Sequence, residues 1–102
     1  MDPSPDAAAP LRTLELAEAL DLPAAGSLLE SLLKLAGEDL VIDASKVQRL
    51  GASCLQVLLS AARTWKAEGT SLILAHGSER FIDDLRLLGF TPETLLSGAQ
   101  TQ

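Results

Sequence analysis

Apolar and polar positions recur at two different spacings along this chain, and together they predict helices separated by short strands. Residues 23–37 begin with a proline, which a first helical turn tolerates, and end with a glycine, which favours termination. Between them runs one broad apolar stripe of Leu28, Leu29, Leu32, Leu33 and Leu35. The next run, residues 40–42, is continuously apolar, so we expect a central strand that is buried on both faces.

A second helix, a strand and a third helix follow. The apolar positions of the second helix recur at intervals of three and four residues and are Leu55, Leu58, Leu59, Ala62 and Trp65. Gly69 is expected to end this helix, residues 71–78 to form a strand, and residues 79–89 to form an amphipathic helix that stops at Gly89. The residues of the third helix predicted to point inward are Phe81, Ile82, Leu85 and Leu88. One more helical turn is expected after Pro92.

Residues 11–22 are ambiguous, because their leucines suit either a helix or two strands with a turn near residues 17–18. Helical propensity favours the helix. Further along, strands alternate with helices, and right-handed crossovers between such strands give a mainly parallel sheet with helices packed on it. The loops after the strands then share one edge, where functional groups of open α/β sheets collect. We therefore expect Asp43, Ser45 and Ser53 to be neighbours at this edge.

Length and charge restrict the domain organisation and the partners. The 102 residues predict a single domain over residues 11–97, between a disordered N-terminal tail (1–10) and a flexible C-terminal tail (98–102). The 14 acidic and 8 basic side chains give a formal charge of −6, which repels a phosphate backbone. Aromatic residues make up only 3% of the chain, so few rings are available for stacking on bases. We expect no nucleic-acid partner.

Cofactors, metals and membrane insertion are not expected either. The single His and single Cys show no recurring metal-ligand spacing, and neither a Walker loop nor a Gly-x-Gly-x-x-Gly motif is present. A lone Cys54 rules out an internal disulfide and favours a reducing compartment. The first ten residues carry acids where a secretory signal needs bases, and no apolar run approaches the roughly 20 residues of a membrane-spanning helix. We expect a cytoplasmic protein.

Ser53 stands at the expected start of the second helix, and three interpretations are open. The commonest role of a serine there is an N-cap whose hydroxyl accepts a hydrogen bond from the first turn. A phosphate on the same hydroxyl would be tolerated by the positive end of the helix. A hydrolase triad with His76 and Asp43 lacks the Gly-x-Ser-x-Gly elbow, because Ala52 and Cys54 flank the serine, so no enzymatic activity is expected.

Two other side chains of this helix have both a structural and a functional interpretation. The Cys54 thiol lies near a helix start, which can make a thiol reactive, but a free cysteine is more often a small buried apolar side chain. Trp65 could anchor a partner, but its position on the apolar stripe favours the core. We expect both residues to be structural.

Residues 12–90 resemble the STAS domains typified by bacterial anti-sigma-factor antagonists. The resemblance rests on the segment LVIDASKVQRLGASCLQVLLSAARTWKAEGTSLILAHGSERFIDDLRLLGF. In that family a strand ends in aspartate, the next helix opens on Asp-Ser-Ser/Thr-Gly-Leu, and a last helix closes on Leu-Gly-Leu/Phe. The resemblance implies a mixed, mainly parallel four-stranded sheet with its helices packed on one face. It also implies that residues 11–22 are strands.

The resemblance implies a non-catalytic protein switch that binds a kinase with the ATPase fold of histidine kinases. Ser53 aligns with the hydroxyl residue that such kinases phosphorylate, and Asp43 aligns with the aspartate that closes the strand. Gly51 stands where the motif has aspartate and Cys54 where it has glycine, so docking is expected whether or not phosphotransfer occurs. The predicted partner-binding residues are Asp43, Ser45, Val47, Gln48, Arg49, Gly51, Ala52, Ser53, Cys54 and Gln56.

Leu-Gly before the serine and Cys-Leu-Gln after it resemble the small STAS proteins of chemotaxis gene clusters, which implies the chemotaxis histidine kinase as the partner. Two alternatives stay open. One is a cytoplasmic accessory subunit of an ABC-type phospholipid transporter, although such proteins often have a threonine followed by Ala-Gly. The other is a phosphorylatable anti-sigma-factor antagonist. The oligomeric state is open too, because leucines and alanines of the second helix could form a dimer contact.

Overall fold

The computed structural model of the protein describes residues 12–97, and both predicted tails lie outside this range. Strands and helices follow in the order β1 (Arg12–Glu15), β2 (Ala19–Leu20), α1 (Leu22–Lys34), β3 (Leu40–Ala44), β4 (Arg49–Leu50), α2 (Ala52–Glu68), β5 (Leu72–Gly77), α3 (Glu79–Leu87) and α4 (Pro92–Ser97). The α/β class is confirmed, and β4 is the element that no sequence pattern predicted. None of the helices in the described range combines the length and the apolar character needed to span a membrane.

Every strand pairing within residues 12–97 is parallel, and the strands form two groups. β1, β3 and β5 form a three-stranded sheet with β3 in the centre, and β2 pairs with β4 in a separate two-stranded ribbon. The predicted single, mixed, four-stranded sheet is therefore wrong. The paired strands β1 and β3 are both followed by non-strand residues, 16–18 and 45–48, and the ribbon forms only beyond these two breaks.

The central strand β3 has one buried face and one open face. Leu40, Ile42 and Ala44 are buried, whereas Val41 between them is only half-buried. Ile73 of β5, in register with Val41, is 46% exposed. The helices therefore pack on one face of the sheet, as the family resemblance implied. The prediction that β3 is buried on both faces is wrong, because no element within residues 12–97 covers the second face.

The helical pattern of the second half of the chain is confirmed. All the predicted inward residues of α2 are buried. Gly69 ends α2 at φ +75°, in the left-handed region that glycine adopts without steric cost. In α3, Phe81 and Leu85 are buried, while Ile82 and Leu88 are half-buried against the core.

Helix α1 departs from its predicted pattern. Leu28 and Leu32 are buried, but Leu29 and Leu33 are 45% and 66% exposed. Only part of the leucine stripe therefore faces the core. The helix ends at Lys34, and the glycine predicted to terminate it lies in the turn that follows.

Residues 12–20 contain strands rather than a helix, so the strand interpretation is confirmed for this part of the segment, whereas Leu22 begins α1 and Leu11 lies outside the described residues. The two strands do not pair with each other. β1 pairs with β3, with Leu14 opposite Ile42, and β2 pairs with β4. Backbone pairing with neighbours distant in sequence thus outweighs the local helical propensity.

Candidate functional site

The loop between β3 and α2 is held in place by the backbone of β2 and the residue before it. The N–H groups of Gln48 and Arg49 both donate to the carbonyl oxygen of Glu18, at 2.7 and 3.2 Å. The N–H of Gly51 donates to the carbonyl oxygen of Leu20 at 2.8 Å. These bonds fix the path of the chain into α2 and explain why the short strand β4 forms.

Helix α3 holds the same loop from the other side. The Ser78 hydroxyl donates to the carbonyl oxygen of Val47 and accepts from the N–H of Phe81 at 3.0 Å, which makes it the N-cap of α3. The carboxylate of Asp84 accepts from the N–H of Leu50 at 2.9 Å. Sequence reasoning missed both supports. A cap could have been predicted from the serine before α3, but nothing in the sequence reveals a bond to a residue 34 positions away.

Helix α2 begins two residues earlier than an N-cap role for Ser53 requires. Gly51 is the N-cap, with extended backbone, and it offers no side-chain acceptor. Ser53 is the second helical residue, so the predicted N-cap role is wrong. The first helical hydrogen bond runs from the N–H of Leu55 to the carbonyl oxygen of Gly51, at 3.1 Å.

Three N–H groups at this helix start have no acceptor among residues 12–97. Those of Ala52, Ser53 and Cys54 make no hydrogen bond within the described residues. Unpaired N–H groups give the start of a helix a partial positive charge, and they must find water or a ligand. The start of α2 therefore presents donors to any acceptor that approaches it.

Ser53 lies in the same helical turn as these donors. Its side chain is half-buried and forms no hydrogen bond with any residue in the range 12–97. The predicted contact residues around it that are exposed are Ser45, Gln48, Arg49, Ala52 and Gln56. We call these residues, together with Ser53 and the half-buried Gly51, the recognition rim.

Two of the predicted contact residues are inaccessible. Val47 and Cys54 are both fully buried, so their side chains cannot touch a partner. The prediction that these two residues bind a partner is therefore wrong, and their role is structural. The Cys54 thiol donates to the carbonyl oxygen of Asp21 at 3.3 Å. Burial, followed by the negative charge of Asp21, raises the pKa of the Cys54 thiol, which keeps it protonated and disfavours reactivity.

Asp43 lies at the carboxyl end of β3, and its hydrogen bond is with Ser45 rather than with Ser53. Its carboxylate accepts from the N–H of Ser45 at 2.9 Å, which closes a tight turn. The Ser45 hydroxyl and then the Ser45 N–H lower the pKa of the Asp43 carboxyl, with smaller contributions from His76 and Lys46. The structure therefore joins Asp43 with Ser45, as predicted. Within residues 12–97 no hydrogen bond connects either of them to Ser53.

The start of α2, which contains Ser53, contacts the start of α1 instead. Helix α2 is tied to Asp21 through Cys54, and Arg49 forms an ion pair with Asp21 at 3.8 Å. Both partners of that pair are largely exposed, so it contributes little to stability. The starts of α1 and α2 therefore lie side by side at the recognition rim.

A family model described as Mlab, STAS domain matches residues 6–97, so the chain belongs to the STAS domain family. This confirms the resemblance seen in the sequence. STAS domains are in general non-catalytic protein-interaction modules of signalling, of the kind found in anti-sigma-factor antagonists. A comparison with curated protein sequences gives no significant match.

Proposed function

We propose that this STAS domain docks on a protein with the histidine-kinase-like ATPase fold, through the recognition rim. The domain carries out no chemistry of its own. Its role is to be bound or released, and Ser53 is the residue whose state decides between the two. Asp43 supports this rim indirectly, through the turn it makes with Ser45.

The observation that carries the proposal is the Ser53 hydroxyl. Ser53 is half-buried, its hydroxyl has no hydrogen-bond partner within residues 12–97, and it belongs to the helical turn whose first three N–H groups have no acceptor in that range. A partner that offers carbonyl or carboxylate oxygens could satisfy several of these donors at once.

The rigidity of the loop supports the same conclusion. β2 holds the loop from one side and α3 from the other, through the bonds to Glu18, Leu20, Ser78 and Asp84. A surface that is already fixed loses little conformational entropy on binding. The loop is therefore preorganised to be recognised.

A negative charge at Ser53 should weaken docking. A phosphate there adds about −1.5 to −2 charges at neutral pH. The N–H groups of the first turn would accommodate it within the domain. The partner's acceptor oxygens would then meet a charge of their own sign, and the donors they need would already be occupied.

The test is a calorimetric titration of the domain against the histidine-kinase-like protein encoded closest to its gene. Ser53→Asp should weaken binding about tenfold or more, because like charges oppose each other in the interface. Ser53→Ala should weaken it about threefold, the loss expected for one neutral hydrogen bond. Ser27→Asp is the control for the added negative charge. Ser27 is exposed on α1 and lies outside the recognition rim, beside a cleft formed with Leu14 and Glu15 of β1. Equal affinities for Ser53→Ala and Ser53→Asp would place the interface elsewhere.

Two further measurements decide the context in which the rim is used. Intact-mass analysis with the kinase and ATP gives an added phosphate if Ser53 is phosphorylated and none if docking is constitutive. Neighbouring receptor and kinase genes favour a signalling role such as chemotaxis. Neighbouring permease and substrate-binding genes favour an accessory role in transport.

A further inference from the structure

Helices α1 and α2 run side by side in the same direction and leave an apolar groove between them. Their starts are tied together by the contacts of Leu20 and Asp21 with Gly51 and Cys54. The groove has a volume of about 70 Å³. It is lined, without a charged residue, by Leu29, Leu32, Leu33, Ala36, Val57, Ser60, Ala61, Thr64 and Trp65.

The two walls of the groove have matching helical spacing. On α1, the exposed leucines occupy positions 22, 29 and 33, which are separated by seven and four residues. On α2, residues 53, 60 and 64 repeat the same separations with small hydroxyl side chains. Eleven residues of helix extend about 16 Å, or three turns. The two rows therefore form parallel walls of equal length, one of large apolar side chains and one of small side chains that leave room.

Ser53 begins the row on α2 that Ser60 and Thr64 continue, so one face of α2 leads from the recognition rim to the groove. Leu22 begins the row on α1, and it is 73% exposed. Large apolar side chains at the start and along the wall of a groove are typical of sites that receive an amphipathic helix.

We propose that this groove binds an amphipathic helix of about three turns, with leucine-sized side chains on one face, supplied by the same partner that contacts Ser53. The inference rests on the proposed function, because the groove and the rim are then two parts of one interface. At the rim the partner responds to the state of Ser53, and in the groove it makes the apolar contact.

A second copy of the chain is a poorer occupant. Leu22, Leu29 and Leu33 are 73%, 45% and 66% exposed, which together is less than the surface of two whole leucines. A stable complex of two proteins buries roughly 800 Å² on each partner, more than twice what these side chains offer. One helix that covers the groove while its parent protein contacts the rim meets the requirement.

Two other occupants conflict with the sequence. The first ten residues of this chain contain three prolines and no leucine, so they cannot supply an apolar helix of three turns. The formal charge of −6 opposes binding to an anionic lipid surface.

The test is photo-crosslinking of the full chain in its native cells. Benzoylphenylalanine replaces Thr64 in the groove, Gln56 in the recognition rim, or Leu87 on α3 as a control, all of which are exposed. We expect positions 56 and 64 to crosslink to the same protein. The peptide captured at position 64 should have apolar residues at intervals of three and four. The control position should capture neither.

Three other crosslinking results would contradict the groove inference, and one of them would also contradict the proposed function. Crosslinks at position 56 without any at 64 would leave the proposed function intact and overturn the groove inference. A second copy of this chain, or a lipid, captured at 64 would also overturn it. Absence of crosslinks at both positions would contradict the proposed function as well.

A matched pair of variants measures the contribution of the groove. With the protein captured at position 56 as the titrant, Leu33→Gln should weaken binding about tenfold, because a side chain that is 66% exposed becomes buried in the complex. Leu87→Gln, which alters a leucine that is 85% exposed on α3, should leave the affinity unchanged. Equal effects of the two variants would contradict the proposal. Since both leucines are exposed, both variants are expected to fold.

Discussion

Helices α1 and α2 carry a similar repeat of leucines and small residues, yet they use it differently. On α2 the buried residues are Cys54, Leu55, Leu58, Leu59, Ala61, Ala62 and Trp65, and the exposed positions are polar or small. On α1 only Leu28 and Leu32 are buried, and Leu22, Leu29 and Leu33 remain exposed. The cause is position within the fold. α2 packs against α1, α4 and β5, whereas the main neighbours of α1 are α2 and the short strand β2.

The two helices differ in whether their apolar residues stabilise the core or remain available to a partner. Periodicity of apolar residues predicts that a helix forms, but the number of neighbouring elements decides how much of its apolar face is covered. α2 therefore carries the core, and its start carries the recognition rim. α1 contributes less to the core and leaves apolar surface for a partner.

The largest expected difference between the two helices is in core stability. Leu58→Ala, at a position 2% exposed on α2, should lower the free energy of unfolding by about 2–5 kcal/mol, because it leaves a cavity. Leu33→Ala, at a position 66% exposed on α1, should change it by no more than about 0.5 kcal/mol. Urea denaturation monitored by circular dichroism measures both. Similar losses for the two variants would show that α1 is covered in solution.

The next effect concerns the support of the loop before α2. Asp84→Ala leaves the part-buried N–H of Leu50 without an acceptor, which should cost about 1–3 kcal/mol of unfolding free energy. Asp84→Asn keeps an amide oxygen and should cost less. Amide exchange of Leu50 in the two variants is the measurement. The prediction is wrong if exchange at Leu50 is equally slow in the alanine variant, since Asp84 would then not hold the loop.

A smaller effect is expected at the caps, where α1 and α2 are alike. The N-caps Asp21 and Gly51 both lack a side-chain hydrogen bond, in contrast to Ser78 of α3. Gly51→Asp introduces an acceptor for the first turn of α2 and should stabilise the domain by a few tenths of a kcal/mol. Space is available, because a Cβ at this position lies 3.4 Å from the nearest atom, the carbonyl oxygen of Leu20. Thermal unfolding at matched pH tests this, and a lower Tm would mean that repulsion from Asp21 exceeds the gain from the cap.

The smallest effect is the pH dependence of the turn after β3. Hydrogen bonds from Ser45 lower the pKa of Asp43 in the folded state. The unfolded value is near 3.9, so this contribution to stability is present above about pH 4 and is lost as the pH falls through the folded-state pKa. Ser45→Ala should raise the pKa of Asp43 in an NMR titration, because the hydroxyl is removed while the N–H remains. An unchanged pKa would show that the Ser45 hydroxyl is not the cause and would assign the shift to the Ser45 N–H, His76 and Lys46.

Much of the fold follows from local patterns. The termination of α2 by a left-handed glycine, its inward residues and the central position of β3 can all be predicted from spacing and residue type. Strands in residues 12–20 could not be predicted from propensity alone, because their partners lie about 30 residues away in β3 and β4. The family resemblance supplied that information.

The recognition rim was predicted less completely. Spacing places Ser53 at a helix start, but a shift of two residues separates an N-cap from the second helical position, and local sequence does not fix that register. The burial of Val47 and Cys54 depends on packing against α1 and α3, which local patterns do not report. The exposure of Leu29 and Leu33 went unpredicted for the same reason.

If a partner protein binds the start of α2, hydrogen exchange at the first amides of this helix reports the contact. The N–H groups of Ala52, Ser53 and Cys54 have no acceptor in the part of the chain that the structure describes, so we expect them to exchange rapidly in the isolated domain. Addition of the histidine-kinase-like partner should slow their exchange about tenfold or more, as acceptors of the partner engage them. Unchanged exchange at these three amides, together with protection elsewhere on the saturated domain, would contradict the account.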